Sequence, residues 1–346
     1  MKNPTQRTVR NTLGMTALLL RLLAQNVNAQ GLPVASLSAQ PTASFWGGEI
    51  TVKGACSAFG LESNPEAART CQRIPMRLSG GKLDEARQLA DTLVTELPES
   101  GVGHYWLGIL QLKQEKFISA LRHFQAAVDR SPGIPMAHLI LGICYAIIRQ
   151  FELFKQEMLW LTEHAPNESL AYFYLGQYYS KDLDQVDKGM EYFRQALQRN
   201  PHDIRSRYLL GYALELKGDR EKAMQEYKAG VAAAGAQGTI YSLPLQGVAR
   251  LYLQENNEDK ALEYVQKAIQ LEPKLASNHL LLGKLYLWTG DLAKGVAALR
   301  QAVDLDPANA APYYLLFRTY LTLKMPAEAK WAQARFEEVK KAYGED

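Results

Sequence analysis

The sequence predicts an all-α chain organised as a solenoid of antiparallel helix pairs, and three observations carry that reading. Leu-Gly pairs end at Gly108, Gly142, Gly176 and Gly211, in steps of 34, 34 and 35 residues. Prolines keep the same beat: Pro98, Pro132, Pro166 and Pro201 repeat those steps, and Pro273 and Pro307 resume them 34 residues apart. Within each period the apolar residues divide into two stretches of helical spacing. A fixed period of this length means stacked supersecondary units, each too small to bury its apolar face alone.

Residues 101–134 show the unit. Its first helix runs from about Val102 to Gln114, with Tyr105, Leu107, Gly108, Leu110 and Leu112 on the apolar face. Its second runs from about Phe117 to Arg130, where Ala120, Leu121, Phe124, Ala127 and Val128 fall at three- and four-residue spacing. Gly108 and Ala120 let the helices approach, Phe124 fills the space beside them, and Pro132 stops the second helix because it lacks an N–H and clashes with the preceding turn.

The same reading along the chain gives units 67–100, 101–134, 135–168, 169–203, 204–237, 242–275, 276–309 and 310–343. Pro75 makes the first half of the first unit a poor helix, so about fifteen helices are expected from residue 82 onward. Phe154, in place of a small residue, predicts a splayed hairpin in 135–168. Four extra residues, "GTIY" at 238–241, follow Gly230 and Gly235 and predict a lengthened helix or a loosened joint. The last unit has Leu316-Phe317 instead of Leu-Gly, and its charged ending "KWAQARFEEVKKAYGED" suits a solubilising cap.

The order aromatic, Leu-Gly, Tyr, Ala, Phe, Ala, Pro resembles the tetratricopeptide repeat. Tyr145, Tyr179, Tyr252, Tyr286 and Tyr320 fill its Tyr slot, Ala86, Ala120, Ala223, Ala261 and Ala329 its first Ala slot, and Ala127, Ala196, Ala268 and Ala302 its second. The resemblance implies a right-handed superhelix whose concave face is lined by positions 2, 5, 9 and 12 of each first helix. Position 5 reads Tyr105, Leu139, Phe173, Tyr208, Gln246, Leu280 and Tyr314, and position 9 reads Ile109, Ile143, Gln177, Tyr212, Arg250, Lys284 and Arg318. Val102, Met136 and Leu170 join them from position 2.

The candidate ligand-binding residues are therefore Tyr105, Ile109, Phe173, Tyr208 and Tyr212 as apolar anchors, with Arg250, Lys284 and Arg318 as a basic ladder for an acidic end or carboxylate. The Lys and Asn pattern of the clamp that holds heat-shock protein tails is absent at these positions. What the family implies is a non-catalytic scaffold for a protein or peptide partner. The alternative is an accessory or targeting subunit of a cell-envelope enzyme or of a secretion or polysaccharide-export assembly.

Composition agrees. The chain has 346 residues, 47% of them hydrophobic, enough apolar surface for an extended core and no separate strand-rich catalytic domain. The opening "MKNPTQRTVRNTLGMTALLLRLLAQNVNAQ" has a basic start, an apolar run and a small-residue exit at Val27-Asn28-Ala29, which fit a signal peptide over 1–29 and a periplasmic or secreted protein. Arg21 interrupts the apolar run, and the lack of acidic residues before Glu49 also suits an organellar transit peptide or an uncleaved anchor. Setting aside Lys2, Arg7, Arg10 and Arg21 turns the net charge of +3 into −1, which argues against nucleic acid as a partner. Beyond residue 29 no stretch is long and apolar enough to span a membrane.

Residues 30–66 read as an extended linker, in which "EITV" could form a short strand. Cys56 and Cys71 are candidates for a disulfide in an exported chain, with two free thiols as the alternative, and Cys144 reads as a small buried hydrophobe. Nothing points to catalysis, a cofactor or a metal: there is no Cys-x-x-Cys, His-Glu-x-x-His, phosphate loop or Gly-x-Ser-x-Gly elbow. His104, His138 and His279 share the fourth position of their units with Tyr172 and Tyr313, so they read as packing residues in an aromatic slot. "NES" at Asn167 is a glycosylation acceptor sequence in an inter-repeat turn, meaningful only in a eukaryotic secretory pathway.

Overall fold

The computed structural model describes residues 55–180 and 185–343, and no strand occurs among the described residues. They form two compact units that divide between Tyr178 and Tyr179. The first holds α1 (Ala55–Ala58), a 3-10 turn (Leu61–Ser63), α2 (Pro65–Ser79), α3 (Leu83–Glu96), α4 (Val102–Lys113), α5 (Phe117–Arg130), α6 (Pro135–Ile147), α7 (Phe151–His164) and nearly all of α8 (Ser169–Tyr179). The second holds α9 (Val186–Arg199), α10 (Ile204–Leu216), α11 (Arg220–Gln237), α12 (Leu243–Gln254), α13 (Glu258–Leu271), α14 (Ala276–Trp288), α15 (Leu292–Leu305), α16 (Ala310–Thr322) and α17 (Pro326–Tyr343). Within each unit, successive helices pack on one another as antiparallel pairs joined by short turns.

Local chemistry starts and stops these helices. The side chains of Asn64, Asp203, Asp219, Asn257, Asp291 and Asn309 accept backbone N–H groups at helix N-termini that would otherwise lack a partner. Inside a pair the chain turns through one left-handed residue, which is Gly at 81, 218 and 290 but Glu115, Arg149, Asn256 and Lys324 elsewhere. The residue after it donates its backbone N–H back across the turn: Lys116 to Gln111, Gln150 to Tyr145, Asp219 to Leu214 and Asn257 to Tyr252. This closing hydrogen bond satisfies a carbonyl at the end of the first helix and holds the non-glycine residues in their costly conformation.

A second device closes the joint between pairs. The fourth residue of a first helix reaches back to the carbonyl of the proline six positions earlier: His138 Nε2 to Pro132 at 2.8 Å, Arg207 to Pro201 at 2.8 Å, His279 Nε2 to Pro273 at 2.8 Å and the Tyr313 hydroxyl to Pro307 at 3.2 Å. These four positions are donor sites, which amends the sequence reading of His138 and His279 as aromatic replacements; His104 faces His123 instead, and the Pro98 carbonyl accepts from Arg130. His138 also stacks on Trp160, with ring centroids 3.5 Å apart, so packing and hydrogen bonding coexist there.

Two further sequence expectations are corrected. Residues 55–66 are not linker: α1 and the 3-10 turn bury Ala55 and Leu61 in the first core. The first half of 67–100 is a complete helix, α2, which carries Pro75 in its interior. Asn64 caps α2, Pro65 occupies its first turn, and Ala67, Cys71, Ile74 and Leu78 recur on one buried face. The insertion lengthens a helix: α11 has 18 residues where α13 and α15 have 14, and Gly238 ends it in the left-handed region at φ 61°.

Four of the pairs close at a glycine of the first helix. A Cβ on Gly108 would lie 2.7 Å from the Phe124 ring, on Gly142 2.4 Å from Met158, on Gly211 2.8 Å from the Tyr227 ring and on Gly283 2.7 Å from Leu299. The approach at Gly142 persists although Phe154 replaces a small residue in that hairpin. Tyr227 is held from both sides, because a Cβ on Gly247 of the next pair would lie 2.6 Å from the same ring. Gly211→Ala and Gly247→Ala should each lower stability by about 1–3 kcal/mol through overpacking. Urea unfolding followed by circular dichroism measures this, and unchanged midpoints for both variants would remove the close approach from the account.

Candidate peptide-binding face

In the first unit the proposed anchors are largely filled by the chain itself. Tyr105 is fully buried, with Phe59 5.6 Å, Trp106 5.5 Å and Phe124 5.9 Å from its ring centre. Phe59 and Ile109 pack half-buried against the same core, and Phe173 is buried elsewhere in the unit. The cover over Tyr105 is held in place covalently: Cys56, in α1, is disulfide-bonded to Cys71, in α2, across a Cα separation of 5.8 Å. Trp106 donates its indole N–H to the Cys71 sulfur at 3.2 Å. Cys144 is a free, buried thiol whose pKa burial pushes up, so it is unreactive there.

The same unit contains a pair of histidines that face each other across α4 and α5. His104 Nδ1 and His123 Nδ1 lie 3.3 Å apart, so one must carry a hydrogen and the other accept it. Partial burial lowers both pKa values; Arg130 and His123 add to the effect on His104, and Arg87 adds to that on His123, while Asp91 opposes it. No group of three or more metal-ligating side chains occurs among the described residues.

The second unit brings three of the predicted residues together. Tyr208 is buried, Tyr212 is half-buried, and the Arg250 guanidinium lies 5.3 Å from the Tyr212 ring centre and 5.7 Å from that of Tyr227. Arg250 is not a free cation. It donates to Glu215 at 2.9 Å and to the Tyr227 hydroxyl at 2.9 Å, while Tyr227 donates to Glu215 at 2.7 Å and Gln254 to the other Glu215 oxygen at 3.1 Å. Burial keeps the Tyr227 phenol well above its ordinary pKa, so it stays a neutral donor. Glu215 is the member of this cluster that sequence reasoning missed; its signal was its register, at position 12 of 204–237, on the line predicted to face the groove.

Past Arg250 the face changes. Gln246 turns into the joint between pairs, donating to Asn278 at 2.7 Å and Ser277 at 2.8 Å. Lys284 and Arg318 are exposed and have no ion-pair partner among the described residues. Crowding by protein, with the Arg250 charge adding to it, lowers the Lys284 pKa. Around them large apolar side chains remain in solvent: Trp288 is 61% exposed, Tyr314 43% and Leu321 54%. Tyr314, Arg318 and Leu321 recur at i, i+4 and i+7 and so share one side of α16, as Lys284 and Trp288 do on α14.

The tetratricopeptide repeat family pattern matches residues 105–153, 181–238 and 247–310. Among curated proteins, the chain is 28% identical over 221 residues to the Protein CTR9 homolog of Arabidopsis thaliana, covering 59% of this chain and 19% of that protein. It is 24% identical over 204 residues to Superkiller complex protein 3 of Mus musculus, covering 57% of this chain and 13% of that protein. The chain thus spans less than a fifth of the length of these two relatives. Among solved structures, it resembles a chain of the APC/C hetero-tetramer Cut9-Hcn1, with a TM-score of 0.60, 20% identity, and coverage of 78% of this chain and 51% of that one. It also resembles a tetratricopeptide repeat protein from Parabacteroides merdae, with a TM-score of 0.55, 15% identity, and coverage of 77% and 98% respectively. At these identities the structural likeness is one of fold.

Two measurements test the site. The coupling between Arg250 and Glu215 in an Arg250→Met, Glu215→Leu double-mutant cycle should be roughly 0.5–3 kcal/mol; additive single effects would show that the pair does not organise this face. The histidine pair makes stability depend on pH. Above 6.5 both rings are neutral folded or unfolded, but below it the unfolded chain binds protons that the folded pair resists, so stability falls as pH falls. A double His104→Gln, His123→Gln variant should lose less Tm than the parent between neutral pH and about pH 5, and equal losses would exclude the pair as a cause.

Proposed function

We propose that this chain, a tetratricopeptide-repeat protein, is a non-catalytic scaffold that holds a segment of another protein against the first-helix faces of its repeats. One observation carries the proposal: on α14 and α16 the second unit leaves Trp288, Tyr314 and Leu321 in solvent, side chains whose burial by a partner is favourable at about 25 cal/mol per Å². Exposed apolar side chains clustered on one face mark a contact surface. The first unit contributes less, since Phe59 already covers Tyr105.

The scaffold works in an oxidising compartment, reached by export with removal of residues 1–29. The Cys56–Cys71 bond supports this, because a disulfide persists where thiols are not kept reduced.

Photo-crosslinking in the native host tests the first statement, with a photoreactive residue at position 288 or 321. A discrete protein adduct is expected from both positions, and none from an exposed position on a second helix such as Gln301; adducts from neither face position would sink the scaffold reading. Intact mass and thiol titration of the native protein test the second. A chain beginning at Gln30 with one titratable thiol is expected, and three thiols or a retained leader would contradict it.

A further inference from the structure

The repeat register compares three cations at one structural position. Arg250, Lys284 and Arg318 all stand at position 9 of successive first helices α12, α14 and α16. Arg250 receives a carboxylate from position 12 of the preceding first helix, Glu215, whose side chain is only 10% exposed. The equivalent residues ahead of Lys284 and Arg318 are Leu253 and Leu287, which are half-buried and offer no acceptor. The second unit therefore contains its own example of how this position is satisfied, and lacks the acidic group at the next two steps. An arginine and a lysine one repeat apart are left beside Trp288, Tyr314 and Leu321.

We infer that this face binds an extended acidic segment of a partner protein, with two carboxylates three residues apart taking on Lys284 and Arg318 the place that Glu215 takes on Arg250. The spacing follows from geometry. Lys284 and Arg318 stand on successive first helices, each packed on the intervening α15; with a step between them on the order of 10 Å, the scale of helix packing, and an extended chain advancing about 3.3 Å per residue, carboxylates at i and i+3 suit successive rungs. Side chains between and beside them meet the exposed aromatic and leucine surface, which selects an acidic segment interrupted by large apolar residues. Burial, with the Arg250 charge adding to it, lowers the Lys284 pKa, and a carboxylate set against the ammonium would offset both. This inference rests on the scaffold reading and narrows it to a chemistry and a spacing.

The experiment is fluorescence anisotropy with the full chain and labelled synthetic peptides of one length, containing Phe and Leu and differing only in a pair of Glu residues. The Glu pair is placed at i and i+3, at adjacent positions, or replaced by Gln. The i, i+3 peptide should bind about tenfold or more tightly than either other peptide, and its advantage should shrink at high salt. Lys284→Gln and Arg318→Gln should each weaken it by about tenfold while leaving the helical spectrum intact, since both side chains are exposed. Equal binding of the Gln peptide, or binding unaffected by both substitutions, overturns the inference. A parallel peptide-display selection on the same chain separates the two levels of argument. Apolar binders indifferent to Lys284→Gln and Arg318→Gln would refute the acidic motif and leave the scaffold standing, whereas no binders, together with no crosslinks at 288 or 321, would refute both.

Discussion

At Gly108, Gly142, Gly211 and Gly283 the first helix of a pair has no side chain, and a Phe, Met, Tyr or Leu from the second helix lies where a Cβ would stand. The packing of these four pairs is arranged around that approach. With the helices this close, the large side chain is wholly enclosed: Phe124, Met158, Tyr227 and Leu299 are each fully buried. A close-packed interior tolerates neither an extra methyl group nor a missing one, so the glycine and its opposite number must recur together. The sequence period is the visible trace of this requirement.

At Tyr227 packing also decides electrostatics. Gly211 and Gly247 fix the ring from both sides, and its hydroxyl can then stand only where it touches Glu215 and Arg250. The carboxylate gathers Arg250, Tyr227 and Gln254, so a charged pair that is three-quarters or more withdrawn from water is paired and hydrogen-bonded on both sides. One repeat further on the same backbone position carries Lys284, but no glycine-clamped tyrosine and no acid accompany it. An identical scaffold thus yields a self-satisfied cation in one place and an open one in the next, according to which residues occupy two other registers.

What the sequence reveals and hides divides along the same physical line. Helix pairs, their turns and the closing glycines were legible because each leaves a periodic mark. The helix carrying Pro75 was not, since a single proline outweighed the capping of Asn64 and the regular return of Ala67, Cys71, Ile74 and Leu78. The groove positions were legible as positions, whereas their availability was not. Tyr105 faces the predicted side but lies under Phe59, a residue forty-six places earlier in the chain that no period connects to it. Likewise Arg250 and Glu215 are thirty-five residues apart, and the four added residues at 238–241 are what displace them from the repeat's ordinary spacing.

The joints between pairs have a different kind of consequence. His, Arg and Tyr occupy the fourth position of a first helix and share little except one hydrogen that reaches a carbonyl six residues upstream. Donor and acceptor belong to the same short piece of chain, so this one hydrogen bond asks nothing of any distant residue. A duplicated or deleted stretch of coding sequence one repeat long carries this bond with it. An array that grows or shrinks by whole repeats therefore keeps this bond at each joint that has it.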